Sequence, residues 1–494
     1  MNWLRRSETW LAIGGGVLAA LSMPGFGAAP LAFVALIPLF LALERGRGFV
    51  HGYLFGLAFF AIDVRWVLML VRFNPLVAPG YVLLVAYLAL PFGLLGWLMA
   101  WRARRVTSWW WILVASALVV LAEYVRTLGP LGTGFSMLHQ ALYGIPYLIQ
   151  SAAVLGSWSI TALIVAINAA AYLAWREKRV RFALLAVGLL IVQGAFWFLP
   201  VGPDEDAAPL AVAIVSSNVP QEVKLDSRNL DALTERFLRL GGEATAGDPD
   251  LIVFPESFLP AYILDLDEVF SRLADLARAG ETRLLFGTGT FRDGGIFNST
   301  VLVDPEGHVI GMYDMVRPVP FGEYIPGRGI LKAIGLGSWA RALLPLDLSR
   351  GTGYEPLDEI GTPICFESTF PTASRQLTRA GATLLVTVTN DAWFAGSSEL
   401  QAHFAAAVFR AVENRRSVVQ AANGGISGIV DPQGRILCET FEETVSRGHV
   451  RPSTVRSIYT GLGDLPFVLA MGCVAAGFLA FRSRSVRRGR RTGE

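Results

Sequence analysis

Charge is scarce in this chain of 494 residues. Asp, Glu, Lys and Arg make up 17% of it and hydrophobic residues 53%, whereas charged residues are about 25% of an average soluble domain. Disordered chains are polar and charged, so disorder is excluded. Three cysteines in so long a chain exclude a small disulfide-stapled scaffold. Lysine is nearly missing: Lys178, Lys224 and Lys332 are the only three. There are five histidines, and His403 has no cluster of His or Cys beside it, so it reads as structural and no metal site is expected. The net charge of +2 is too close to balance for a nucleic-acid binder. No G-x-G-x-x-G follows a strand-like run, so neither a nucleotide site nor another cofactor is indicated.

What is present is unevenly placed. Residues 1–200 are almost wholly apolar, 201–460 read as an ordinary soluble domain, and 465–481 are apolar again before a basic tail. Crossing the hydrocarbon core takes about 20 mostly apolar residues. Spans are expected near 8–26, 28–43, 51–71, 79–101, 108–127, 151–175, 182–200 and 465–481. Pro30 and Pro38 blur the limits of the second. A cleaved leader could account for the first span but not for the rest.

Arg and Lys prefer cytoplasmic loops. Arg5 and Arg6 precede the first span, Arg45 and Arg47 follow the second, and Arg102, Arg104 and Arg105 follow the fourth. Arg176, Lys178, Arg179 and Arg181 separate the sixth from the seventh, and six arginines between Arg482 and Arg491 follow the eighth. If all eight spans are real, every cluster falls on one side. Both termini are then cytoplasmic, and residues 201–460 emerge outside the membrane after an odd number of spans. The expected domains are a bundle of seven helices over 1–200, an external domain over 201–460, and a final span with its tail over 461–494.

Within the external domain, short Val-, Ile- and Leu-rich runs read as strands: Leu210–Val215, Leu251–Phe254, Arg283–Gly287, Ser299–Val303, Leu384–Thr389 and Val418–Ala421. Helices are expected at Asn229–Leu240, Leu266–Ala279, Ser374–Ala380 and Glu399–Asn414. Asp304-Pro305-Glu306-Gly307 and Asp431-Pro432-Gln433-Gly434 are turn signals between strands. The fold class is therefore a multi-span α-helical membrane bundle plus an external α/β domain, with sheets inside and helices outside.

Three local sequences carry candidate chemistry: Val253-Phe254-Pro255-Glu256-Ser257, Val319-Pro320-Phe321-Gly322-Glu323-Tyr324, and Pro363-Ile364-Cys365-Phe366-Glu367-Ser368. Taken singly, a carboxylate at a strand end is an ordinary cap or ion-pair partner, and a lone Cys is most often a small buried hydrophobe. Together and in this order they resemble the nitrilase (carbon–nitrogen hydrolase) superfamily, which uses Glu, Lys and Cys on an α-β-β-α sandwich. Seven spans, an external nitrilase-like domain and one final span resemble its membrane-integral acyltransferases. Asn218-Val219-Pro220-Gln221, Thr389-Asn390-Asp391-Ala392-Trp393-Phe394, His403, Arg410, Glu413, Asn423-Gly424, Glu123 and Arg126 extend the likeness over nearly the whole chain.

The resemblance implies an enzyme of the bacterial cytoplasmic (inner) membrane, its catalytic domain on the periplasmic side. Glu256 would be the general base and Cys365 the nucleophile. The Phe366 N–H would help to hold the oxyanion, Glu323 would orient the site, and Glu367 would support it. Cys365 would take an acyl chain from a membrane phospholipid as a thioester. It would then pass that chain to the N-terminal amino group of a diacylglyceryl-cysteine lipoprotein. A nitrilase-type amidase fixed to the membrane, or a non-catalytic lipid- or lipoprotein-binding relative, are the alternatives. Glu123, Arg126 and Trp393 are candidates for substrate binding. Glu123 and Arg126 share a helix face and, like Asp63 and Arg65, read first as ion pairs that lock the bundle; a headgroup site for the donor phospholipid is the sharper alternative. Cys365 and Cys438 could pair in an oxidising compartment, but the motif around Cys365 argues for a free thiol.

One position departs from the pattern. The superfamily's lysine would stand five residues before Pro320, and the residue there is Met315. Methionine matches lysine in length but carries no charge and no donor. Impaired or trapped turnover is the expectation. Lys224 and Arg317 are the candidate replacement cations, the latter because alternate residues of an extended segment share a face.

Overall fold

The computed structural model describes residues 7–45, 47–102, 108–199 and 207–491. Arg5, Arg6, Arg104 and Arg105, and the expected junction at 200–206, lie outside them. The chain divides into two compact units. One comprises Met1–Leu128, Ser136–Leu199 and Leu462–Glu494, the other Gly129–Phe135 and Pro200–Gly461.

The first unit is helical. Five helices are long and apolar enough to cross a membrane: Gly48–Arg72, Val77–Ala100, Trp109–Arg126, Trp158–Glu177 and Val180–Phe198. The other three expected spans fall on shorter apolar helices, Ser7–Leu21, Ala29–Glu44 and Leu465–Leu479. The proline-bearing span is broken for a physical reason. A 3-10 turn, Ala29–Phe33, and a new helix, Ile37–Arg45, each carry a proline, Pro30 and Pro38, as the second residue, where a missing N–H costs least. The backbone freed by this break is satisfied by buried Asn168. Its amide donates to the Ala32 carbonyl at 2.8 Å and its oxygen accepts from Leu36 N–H at 2.9 Å, as an apolar interior requires. The sixth span begins later than the sequence suggests, because Gly156 at φ 77° ends the short helix Ala152–Leu155 before Trp158–Glu177 starts.

Helices Gly48–Asp63 and Val77–Arg102 meet backbone to backbone. A methyl group on Gly52 would overlap the Phe92 carbonyl, and methyls on Gly48 and Gly96 would each overlap the other residue's carbonyl. Small residues spaced four apart permit this close approach between apolar helices.

The second unit is an α/β sandwich. Its strands are β1 (Leu210–Ser216), β2 (Leu251–Val253), β3 (Arg283–Arg292), β4 (Gly295–Val303), β5 (Val309–Asp314), β6 (Ile360–Gly361), β7 (Leu384–Asn390), β8 (Val418–Asn423), β9 (Ser427–Val430), β10 (Ile436–Thr440) and β11 (Thr444–Val450). They form two sheets, ordered β11-β1-β2-β3-β4-β5 and β10-β9-β8-β7-β6. All six strands read from the sequence are present, as are the hairpins at the two Asp-Pro turns. β7 and β8 are buried along their whole length, which is why they read as unbroken apolar runs.

Helices Leu230–Thr245 and Asp267–Gly280 cover the first sheet over a core that includes Phe237, Phe254, Phe258 and Phe286. Pro371–Ala380 and Glu399–Asn414 belong to the second half. A bridge from Ser217 to Asn423 joins the ends of β1 and β8. The strand ends therefore gather Glu256, which follows β2, with the turns that follow β6 and β7.

Candidate active site

Cys365 sits at a strained corner. Ile364 pairs with Val388 of β7, and the next residue opens a 3-10 turn, Cys365–Thr369. Cys365 has φ 46°, a left-handed conformation uncommon for a residue with a side chain and typical of functional sites. Helix Glu399–Asn414 holds this turn at both ends. His403 Nε2 lies 3.0 Å from the Cys365 carbonyl, and the Arg410 guanidinium donates to the Thr369 carbonyl at 3.1 Å. On its other side His403 Nδ1 lies 2.9 Å from Asp391. Burial opposes a charge on His403, but Asp391, Glu399 and the Cys365 carbonyl outweigh it and raise its pKa to about 9. At neutral pH the ring is an imidazolium that donates from both nitrogens. Among the described residues no acceptor takes the Phe366 N–H, which leaves it available beside the nucleophile.

Glu256 lies buried just beyond β2. Its approach needs Gly287, where a methyl group would stand 2.6 Å from the Glu256 Cα. The Asn298 amide donates to Glu256 Oε1 at 2.6 Å and to Glu323 Oε1 at 3.1 Å, so one side chain of β4 spans both carboxylates. Glu323 also accepts from its own loop, at Val319 N–H, 2.7 Å away. Burial raises Glu256, against the pull of Asn298, the Cys365 thiol and Lys224. Burial and the nearby Glu256 raise Glu323 to about 7. Glu256 Oε2 is buried and has no fixed hydrogen-bond partner among the described residues. Burial, then Glu256 and Asp391, push the Cys365 thiol well above its ordinary range.

Met315 is buried and enters the same cluster. Its backbone is fixed by Asn298 O and Gly351 N–H, each at 2.9 Å, and its sulfur lies 3.9 Å from the Asn298 amide nitrogen. Glu367 ties this segment to the nucleophile turn. It accepts from Val316 N–H at 2.9 Å, Arg317 N–H at 3.1 Å, Tyr313 O–H at 2.7 Å and Ile364 N–H at 3.3 Å. Burial raises it to about 7. The Arg317 guanidinium lies over the Phe370 ring at 3.5 Å. Lys224 is buried, with Nζ 3.3 Å from the Glu256 carbonyl.

Glu256, Glu323, Met315, Cys365, Phe366 and Glu367 are thus brought together, and Lys224 joins them. Asn298 and Tyr313 were missed, because a polar residue inside a strand gives no signal of where it points. The absence of His and Cys near His403 also hid a grouping. Asp391, Glu399 and His403 converge with their ligand-type atoms within 4.8 Å, as a hydrogen-bonded set that serves the nucleophile turn. Trp393 lies half-buried in the 3-10 turn Asp391–Phe394. Glu123 and Arg126 belong to the helical unit. Glu123 accepts from Leu138 N–H and Thr161 O–H, each at 2.8 Å. Arg126 donates to the Ser136 carbonyl at 3.1 Å and lies 4.5 Å over the Phe60 ring.

Chemically, the cluster offers a thiol, a neighbouring carboxylate, a second carboxylate sharing the same Asn298 donor, and a free backbone donor. That is the equipment for acyl transfer through a covalent intermediate. Residues 212–460 match the carbon–nitrogen hydrolase family, and residues 15–170 match the apolipoprotein N-acyltransferase N-terminal domain. An apolipoprotein N-acyltransferase of Geobacter metallireducens is 35% identical, covering 97% of this chain and 96% of its own. One from Gloeobacter violaceus is 30% identical over 97% and 95%. Among solved structures, an amidase from Nesterenkonia sp. aligns at 19% identity with a TM-score of 0.37, covering 53% of this chain and 96% of that one.

Proposed function

Since the chain belongs to the apolipoprotein N-acyltransferase family, we propose that its Glu256–Cys365 cluster performs that family's reaction, on the outer face of the cytoplasmic membrane. The chain is an integral membrane acyltransferase of lipoprotein biosynthesis, with a nitrilase-type α/β domain. The domain organisation, the roles of individual residues, the orientation and the two lipid substrates are our reading. The basic clusters support cytoplasmic termini and an external catalytic domain.

The donor is a membrane phospholipid. Glu256 takes the Cys365 thiol proton, and the sulfur forms a bond to the ester carbonyl carbon. The carbonyl electron pair moves onto oxygen, beside the Phe366 N–H. As the pair returns, the C–O bond breaks, and the Glu256 proton passes to the departing lysophospholipid oxygen. The acceptor is a diacylglyceryl-cysteine at a lipoprotein N-terminus. Its amine attacks the thioester, one amine proton passes to Glu256, and the C–S bond breaks. That proton returns to sulfur, leaving an amide and a regenerated thiol. Each half-reaction conserves protons within the Glu256–Cys365 pair.

The observation that carries this reading is the Asn298 amide spanning Glu256 and Glu323 beside Cys365. It fixes the base while leaving Glu256 Oε2 open for the thiol proton. Glu323 and Glu367 act as positioning groups, the first on Asn298 and the second on the nucleophile turn. Trp393, Glu123 and Arg126 remain candidates for contact with the lipid substrates.

The test is intact-mass analysis of the full-length protein in phosphatidylethanolamine-containing vesicles, before and after adding a diacylglyceryl-cysteine peptide. An acyl adduct on Cys365 should form and move to the peptide amine. Release of the chain as free acid, with no amide formed, would point to hydrolysis and defeat the transferase assignment. Absence of any adduct would remove Cys365 from its role.

A further inference from the structure

Burial raises the Cys365 thiol most, and three carboxylates, Glu256, Asp391 and Glu323, each raise it further. Acyl transfer moves a full negative charge through this acidic pocket. It begins on Glu256, passes to sulfur, and then to the tetrahedral oxygen. Without a fixed cation each of these steps is electrostatically uphill, because buried charge is costly unless paired. Met315 has no charge, and its sulfur is engaged with Asn298.

Two cations of the neighbourhood can be compared. Arg317 is committed elsewhere: its guanidinium covers Phe370, and its electrostatic partners are Tyr354, Tyr324, Arg350 and Glu367. Lys224 is different. It is only 5% exposed, and its Nζ sits 3.3 Å from the main-chain oxygen of the base itself. Among the described residues this is its one hydrogen bond, so two of the three ammonium N–H donors are uncommitted.

The turn that carries Lys224, Gln221–Lys224, is anchored to the second sheet. The Asn390 amide donates to Gln221 at 3.0 Å, Asn423 accepts from Val219 N–H at 2.9 Å, and Asn423 donates to Asn390 at 2.8 Å. Nothing in this lattice leaves the lysine free to reach solvent. A buried ammonium held against the base, with spare donors, is built for a charge beside it.

Resting on the acyl-transfer reading above, we propose that Lys224 is the cation of this active site. It holds the negative charge as that charge passes from Glu256 to the Cys365 sulfur and on to the oxyanion, the duty that position 315 does not perform. The protein is then competent as it stands, with the ammonium delivered from the turn after β1 instead of from the loop after β5. Burial lowers Lys224 to about 8, while Glu256 and then Cys365 pull it back up, so the ammonium form persists at neutral pH and feels both reacting groups.

The experiment compares the parent, Lys224→Met, Lys224→Arg and the double variant Lys224→Met/Met315→Lys, all full length in phospholipid vesicles. The first readout is alkylation of Cys365 by iodoacetamide against pH, resolved by peptide mass spectrometry. Losing the cation that faces both Glu256 and Cys365 should move the midpoint upward by about one to three pH units in Lys224→Met. The second is the rate of thioester formation from phosphatidylethanolamine, which should fall roughly 10²–10³-fold. Lys224→Arg should retain part of both, and the double variant should recover them. A merely structural lysine would move neither midpoint nor rescue. An alkylation midpoint unchanged in Lys224→Met, with thioester formation intact, overturns the proposal. If the parent forms no thioester, the acyl-transfer reading fails, and the alkylation profile still decides Lys224.

Discussion

Glu256 and Cys365, the proposed base and nucleophile, both hold their protons more tightly than usual. Burial is the largest cause at both groups, so Cys365 rests as a thiol, and the carboxylate that would receive its proton also has a raised affinity for it. Asn298 sets that balance by donating to Glu256 and lowering its pKa. Acylation requires the carboxylate form, so its rate rises with pH as Glu256 ionises. Asn298→Ala removes the donor and should shift that rise to higher pH while slowing acylation at neutral pH about tenfold or more. Quenched-flow measurement of the Cys365 thioester across pH checks this; an unmoved acid limb would mean that another group is the base. The sequence displayed Glu256, Glu323, Cys365 and Glu367 because each lies in a distinctive local pattern. Asn298 was not legible, since Phe297-Asn298-Ser299 is unremarkable text within a strand. Its aim depends on the pairing of β4 with β5 and on where β2 ends.

Helix Glu399–Asn414 works as a clamp on the nucleophile turn, through His403 at Cys365 and Arg410 at Thr369. The clamp is charge-dependent. The folded-state pKa of His403 is raised to about 9 from 6.5. Its stabilisation is therefore fully present below pH 6.5 and is lost as pH rises through about 9. The lost contribution is on the order of 3 kcal/mol. Thermal unfolding of the parent should weaken by that amount between pH 6.5 and 9, and His403→Gln should lack this component; parallel pH profiles for the two proteins would show that the ring is not charged. Element limits were legible where punctuation is strong. Gly381 at φ 124° closes helix Pro371–Ala380 at the residue expected, whereas its start at Pro371 lies before the Ser374 expected from the sequence. β11 escaped notice because Thr444–Val450 carries Arg447 and His449 and has no apolar run. Its place is fixed by antiparallel pairing with β1, a long-range fact.

At the scale of the whole chain, composition made an apolar part and an α/β part legible, but it gave no sign that Gly129–Phe135 groups with the second unit. This short segment of the apolar half belongs with the catalytic unit. Phe135 packs 6.2 Å from Phe366 and 6.1 Å from His403, contacts that no hydropathy pattern could announce. The orientation proposed from the basic clusters has a direct check. In a Cys438→Ser background, the exposed residue Glu442 replaced as Glu442→Cys should react with a membrane-impermeant maleimide in intact spheroplasts. Labelling that appears only after lysis would reverse the topology.

The glycine contact between helices Gly48–Asp63 and Val77–Arg102 bears on lipid traffic. Where two backbones touch with no space for a methyl group, there is no slot for a methylene chain. Fatty acyl tails cannot thread between the two helices where Gly48, Gly52 and Gly56 meet Ala89, Phe92 and Gly96, so a lateral path for a lipid substrate at that level runs along other seams.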